Sequence, residues 1–313
     1  CRVLQPRALP GEHSPRCPRI SATRCSHRDR RGRSHRNPAD PRIVSMIQYS
    51  FGVGGTVTRV LEAGTGDKKL ILVHGVGARA DRWRRNLDGL AEAGYHTFAL
   101  DLPGHGLAQK DAKYPHSVPN YAALVREFLD EVSADSETYL IGTSLGGHVC
   151  ATVACAIPDR IVGLVLVGTL GITPVGAAAR ERTAGLIREA SWETVGRKLR
   201  AVLHDNELVT DELHREEFCI NNSPGAAEAF ERIAAYFADQ IDNDVIGESL
   251  ASLVDEIPML VVWGREDIGF PLELGEASHA ALPGSRFAIM DDAAHAPYYE
   301  RPETFNTLVT EFF

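Results

Sequence analysis

No run of about 18 apolar residues occurs in the 313-residue chain, so no helical membrane span is predicted. Cysteine is scarce, with six residues at positions 1, 17, 25, 150, 155 and 219. No pair has zinc-ligand spacing, and no framework of bridges is suggested. Cys150 and Cys155 fall in an apolar helical pattern, where a free thiol acts as a small hydrophobe. A reducing cytoplasm is the expected compartment. Internal repeats are absent. Lysine is missing from the first 45 residues, which hold 11 Arg, six Pro and only three acidic residues, a net charge of +8. The whole chain carries −9, so the remainder carries −17. An acidic body of this kind argues against a nucleic-acid partner.

Residues 1–45 have almost no apolar periodicity and cannot bury enough surface to offset their ordering entropy. They are expected to be a disordered basic segment, not native to the folded protein, with Met46 as the true start. A basic nucleic-acid arm and an Arg-rich transit peptide are the alternatives. A secretory signal is not expected, because the segment lacks an apolar core region.

From Gln48 onward, strands and helices alternate. Gln48–Tyr49 and Thr56–Leu61 flank Gly52–Gly55 and read as a hairpin. Short apolar runs predict buried strands at Lys69–Val73, Tyr95–Leu100, Glu137–Ile141 and Ile161–Val167. Helical periodicity appears over Asp81–Ala93, Asn120–Val132 and His148–Ile157. From about 171 to 253 only helix signals are found, over Ala177–Ala190, Trp192–Leu203, Asp211–Asn221 and Ala226–Asp239. Strands return at Met259–Trp263 and Arg286–Met290, and a last helix covers Pro302–Phe313. This order predicts an α/β fold with a doubly wound, mostly parallel sheet. Its core would comprise 46–170 and 254–313, with a helical cap inserted at 171–253.

The chemistry concentrates at strand ends. Gly142-Thr143-Ser144-Leu145-Gly146 fits G-x-S-x-G, follows a predicted strand and opens a predicted helix, the setting an exposed nucleophilic serine requires. A serine hydroxyl needs a base. His295 follows the strand Arg286–Met290 and would reach the same edge of the sheet. The base needs an acid to fix its tautomer. Asp267 lies just past Met259–Trp263, with Glu266, Asp291 and Asp292 as rivals. The amide of Leu145 would hold a developing oxyanion together with one from His74-Gly75-Val76-Gly77. Val76 is the first choice there and Gly77 the second. His74 reads as structural, its ring bonding loop backbone. Asp101–Gly106 reads as loop architecture, with Asp101 a candidate brace for the turn at Ser144.

Taken together, His74-Gly75, Asp101–Gly106, Gly142–Gly147, Gly264–Asp267 and Ala294-His295 resemble the α/β-hydrolase superfamily over about Gln48 to Phe313. The resemblance implies that fold and a triad of Ser144, Asp267 and His295. The serine nucleophile sets the chain apart from haloalkane dehalogenases and epoxide hydrolases, which use aspartate there. Two stretches are similar to the meta-cleavage-product hydrolases, which cut carbon–carbon bonds in vinylogous diketones: His74–Gly106, with Trp83 and Ala91–Tyr95, and Leu208–Leu213. Three positions depart from that subfamily. Thr143 stands where it has Asn, Ala296 where it has Trp, and Glu217 where it has an arginine for the substrate carboxylate, with Arg215 two positions earlier.

The expected activity is therefore hydrolysis of a carboxylic ester or related acyl bond of a small molecule. The alternatives are carbon–carbon bond hydrolysis and, in another class, a non-catalytic ligand-binding homologue; a complete triad argues against the last. Cofactor-free oxidation has no residue pointing to it. Trp192, Arg215 and Phe218 are candidate substrate-binding residues of the cap, although Trp192 and Phe218 equally suit core packing. No metal, organic cofactor, nucleic-acid or membrane partner is implied. Self-association into a homo-oligomer is left open.

Overall fold

The computed structural model describes residues 46–313 except Ala112 and Asp135. The expectations for residues 1–45 lie outside the described residues. Strands β1 (Ile47–Val53) and β2 (Thr56–Ala63) form an antiparallel hairpin whose register pairs Val53 with Thr56. Gly54 and Gly55 close it with φ of 60° and 68°. Two successive positive φ angles define the tight turn that matches strand twist, and glycine takes them without steric cost.

The chain then alternates through β3 (Lys68–Val73), α1 (Arg84–Glu92), β4 (Tyr95–Leu100), α2 (Val118–Val132), β5 (Thr138–Thr143), α3 (Leu145–Ala156) and β6 (Ile161–Val167). Helices α4 (Ala177–Arg188), α5 (Trp192–Val202), α6 (Asp211–Asn221), α7 (Ala226–Asp239) and α8 (Gly247–Ala251) follow. Next come β7 (Met259–Gly264), α9 (Leu272–Ala280), β8 (Arg286–Met290), α10 (Pro297–Glu300) and α11 (Pro302–Phe312). One sheet holds all eight strands in the order β1-β2-β4-β3-β5-β6-β7-β8. The β1/β2 and β2/β4 pairs are antiparallel and the other five are parallel.

From β3 the chain crosses to β4 on one side, then returns to place β5 on the other. The connections leaving the carboxyl ends of β3 and β5 thus run in opposite directions, a topological switch point, where open α/β sheets leave a crevice. The central strands are buried on both faces, which is why they read as unbroken apolar runs. Ile71 and Val73 face one core with Phe128 of α2 and Val149 of α3. Leu70 and Leu72 face the opposite core with Leu87 of α1 and Phe305 of α11. Trp83 is fully buried there, its ring stacked on Tyr298 at 3.8 Å.

Between β6 and β7 the described chain is helical, with 3-10 turns at Asn206–Leu208 and Ile241–Asp244. Ser191 and Thr210 cap α5 and α6, their side chains accepting the amides of Thr194 and Leu213. Such caps satisfy donors that a helix start otherwise leaves open. The base of the insertion is tied together and to α3: Ile246 N donates to Gly171 O at 2.9 Å, and the His148 ring of α3 meets Asp244 O at 2.7 Å. No described helix is long and apolar enough to cross a membrane.

Candidate active site

Ser144 sits between β5 and α3 with φ 53° and ψ −119°. For a residue with a Cβ this is a strained conformation, costing about 1–3 kcal/mol. Its surroundings enforce it. Ser144 N donates to Val167 O at 2.9 Å, and Ser144 O accepts the amides of Gly147, His148 and Leu170. A Cβ at Gly142 would lie 2.2 Å from Gly146 O, and one at Gly146 would lie 2.2 Å from Val73 O. Gly147 is equally constrained, since a Cβ there would stand 2.3 Å from Thr169 Oγ1. The helix begins at Leu145 rather than at His148, because the turn is made at Ser144 itself.

His295 lies on the loop between β8 and α10. Its Nδ1 is 2.6 Å from Asp267 Oδ2, which leaves Nε2 for the cavity that both His295 and Ser144 line. Asp267 is only 4 % exposed. Its other oxygen accepts the amides of Gly269 at 3.0 Å and Phe270 at 2.8 Å. The Phe270 ring stacks on His295 at 4.7 Å. The rival carboxylates are engaged elsewhere or exposed. Glu266 accepts Ala293 N, Asp291 pairs with Arg265, and Asp292 is exposed. Among the hydrogen bonds of the described residues, none joins Ser144 Oγ to His295. Such contacts often tighten only when substrate is bound.

Gly75, Val76 and Gly77 border the cavity beside Ser144. Ala78 N donates to Gly75 O across a turn in which Gly77 has φ 71°. His74 fixes this turn from beneath. Leu102 N donates to its Nε2 at 2.9 Å, so Nδ1 carries the proton and donates to Gly75 O at 2.7 Å. Burial lowers the pKa of His74 and keeps it neutral. The amides of Val76 and Leu145 have no backbone acceptor among the described residues, as two donors reserved for an oxyanion would require. Asp101 does not brace the Ser144 turn. It accepts the amides of Ala80 and Leu107 and pairs with Arg59 at 2.9 Å, tying its own loop to the 3-10 turn at Ala80 and to β2.

The cavity encloses about 440 Å³. Much of its wall is apolar, with Leu170, Ile172, Ile187, Leu199, Phe230 and Phe237 among the lining. The three expected substrate-binding residues are not part of that lining. Trp192 is 40 % exposed and stacks on His214 at 3.8 Å, with Phe218 against its edge at 5.4 Å. Arg215 is exposed. The face of α6 that meets the cavity instead carries Glu217 and Asn221, one helical turn apart. Glu217 is 5 % exposed and takes the guanidinium of Arg79 and, at 3.2 Å, that of Arg82. Arg82 also lines the cavity, and its Nη1 is buried without a hydrogen-bond partner. Arg79 and Arg82, which sequence reasoning missed, sit in and just before the 3-10 turn at Ala80–Trp83. Burial pulls Lys198, another lining residue, down to about 8. No cluster of three or more His, Cys, Asp or Glu able to hold a metal occurs among the described residues.

Comparison with known proteins agrees with this architecture. A family described as alpha/beta hydrolase fold matches residues 68–302. The chain is 28 % identical over 290 residues to the 2-hydroxy-6-oxononadienedioate/2-hydroxy-6-oxononatrienedioate hydrolase of Paraburkholderia phymatum, covering 89 % of this chain and 97 % of that one. A bacterial membrane phospholipase A superposes with a TM-score of 0.74 at 26 % identity, over 87 % of this chain and 86 % of that one. The 2-hydroxy-6-oxo-6-phenylhexa-2,4-dienoate hydrolase of Rhodococcus sp. strain RHA1 gives 0.77 at 22 % identity, over 86 % and 99 %. The chain belongs to the alpha/beta hydrolase fold family and is a hydrolase of that fold.

Proposed function

We propose that the protein hydrolyses a carboxylic ester or related acyl bond of a small molecule through Ser144, His295 and Asp267. The observation that carries this reading is the strained Ser144 facing the same cavity as a histidine whose Nδ1 is held 2.6 Å from a buried carboxylate. His295 Nε2 takes the Ser144 proton as Oγ attacks the acyl carbon. Asp267 holds Nδ1–H and stabilises the imidazolium that forms. The amides of Val76 and Leu145 take the oxyanion, a contribution of about 3–4 kcal/mol per donor in such sites. The leaving group departs with the proton from Nε2. Water, activated by the same nitrogen, then releases the acid. The helices between β6 and β7 act as a cap, with α4 to α7 walling the cavity away from solvent. The free thiols Cys150, Cys155 and Cys219 suit a reducing cytoplasm.

A second reading, carbon–carbon bond hydrolysis of a vinylogous diketone, is favoured by one feature. Arg82 is a buried arginine in the cavity wall, and relatives such as the Paraburkholderia enzyme carry that kind of activity in their names. Against it stands Glu217, which already occupies the arginine.

Labelling with a fluorophosphonate, followed by peptide mass analysis, tests the nucleophile. Modification at Ser144, lost in Ser144→Ala along with at least about 10³-fold in kcat, is expected. An unlabelled Ser144 would remove the proposal. Faster turnover of a dienoate diketone than of short aryl esters would promote the second reading.

A further inference from the structure

We infer that Glu217 sets the charge selectivity of the acyl pocket: by neutralising Arg82 it makes the site refuse acyl groups that end in a carboxylate and accept uncharged ones. The inference deepens the ester reading and rests on it. Arg82 is 7 % exposed and Glu217 5 % exposed, and both line the cavity that Ser144 lines. Within the described residues, Glu217 is the only anion paired with Arg82. Arg79, the other partner of Glu217, is independently held by Asp81 at 2.9 Å and Glu216 at 2.7 Å. Removing the charge of Glu217 therefore leaves Arg79 compensated and Arg82 as a bare cation in the wall. Arg82 Nη1 already lacks a partner, so the guanidinium has donor capacity to offer an incoming acceptor. With Glu217 ionised, a substrate carboxylate would meet a balanced pair and a like charge, and its own desolvation would go unrepaid. Among the other cations of the lining, Arg180 is paired with Asp242 at 3.3 Å and Arg182 is exposed. Lys198 donates to a neutral carbonyl, Glu189 O, and is the same in every variant compared, so the change in selectivity on substitution reads Glu217 and Arg82 alone.

The test compares kcat/KM for p-nitrophenyl hexanoate and for the mono-p-nitrophenyl ester of adipic acid, which differ at the far end of the acyl chain. The wild-type protein is expected to prefer the hexanoate by about 100-fold, and Glu217→Gln to shift that ratio toward the adipate by at least about tenfold. In Glu217→Gln/Arg82→Gln the shift is expected to vanish. Should Glu217→Gln fail to fold, as judged by circular dichroism, Arg82→Gln alone carries the test. It leaves Glu217 in the wall with Arg79 and is expected to disfavour the adipate by about a further tenfold. A ratio unchanged in Glu217→Gln, or a shift that persists in the double variant, would overturn the inference, as would an unchanged ratio in Arg82→Gln. Failure of the wild-type protein to cleave either ester would sink the ester reading alone. Calorimetric binding of adipate, tighter in Glu217→Gln than in wild type, would still decide the role of Glu217.

Discussion

Asp267 divides its two oxygens between different tasks. Oδ1 takes two backbone amides, and Oδ2 takes the His295 ring. An asparagine can accept at only one of its two positions. Asp267→Asn must therefore either present an N–H to two amides or present it to Nδ1 and force the wrong tautomer. Steady-state kinetics should show kcat lowered about 10⁴-fold with KM nearly unchanged; a loss of less than tenfold would rule out Asp267 as the acid. Ser144 and its glycines were legible in the sequence because they fall within one short motif between a strand and a helix, although only Gly142 is constrained by the turn itself, while Gly146 meets Val73 of β3 and Gly147 meets Thr169. Glu217 was legible only as a departure from a family pattern. Its partners Arg79 and Arg82 lie 138 and 135 residues away, and no local pattern predicts that pairing. Trp192 and Phe218 are suggested by residue type alone, but their rings pack on one another and on His214 and lie outside the cavity lining.

At the scale of elements, the parallel strands were readable almost to the residue because burial on both faces leaves a continuous apolar run between polar ends. Three helices are not legible in the sequence: α8, α9 and α10, the last only four residues long. Helix α9 buries Gly275 and Ser278, small residues that leave no apolar stripe. Helix α8 has five residues and a glycine at its start, too short for a period to show. The 3-10 turn at Ala80–Trp83 joins the sheet to α6 through a chain of ion pairs. Asp81 meets Arg59, Arg79 and Arg84, and Arg79 meets Glu216 and Glu217. Burial alone would raise the Asp81 pKa, but the hydrogen bond and charge of Arg59 outweigh it and hold the carboxyl well below the usual range. A depressed folded-state pKa gives stability that is present above the unfolded value and lost as pH falls toward the folded one. Thermal melts should show wild-type stability falling below about pH 4. Asp81→Asn should melt lower at pH 7 and lose less on acidification; parallel curves for the two proteins would contradict this role.

Across the whole molecule, the restraint on Ser144 comes from every layer. Val167 of β6, the Val73 end of β3, Thr169 and the start of α3 all press on one turn. The fold thus spends part of its stability holding one side chain where relaxation would not put it, and the native state is less stable than its packing would allow. Ser144→Gly removes the Cβ that opposes φ 53°. It should raise the melting temperature by about 2–4 °C, a net gain of ~1 kcal/mol after the entropy cost of glycine, while ester turnover disappears. Differential scanning calorimetry decides the matter: a lower melting temperature would mean that the turn carries no tension. On this account thermostability and turnover compete at a single residue, and a selection for heat resistance without a selection for activity would discard the nucleophile among its first substitutions.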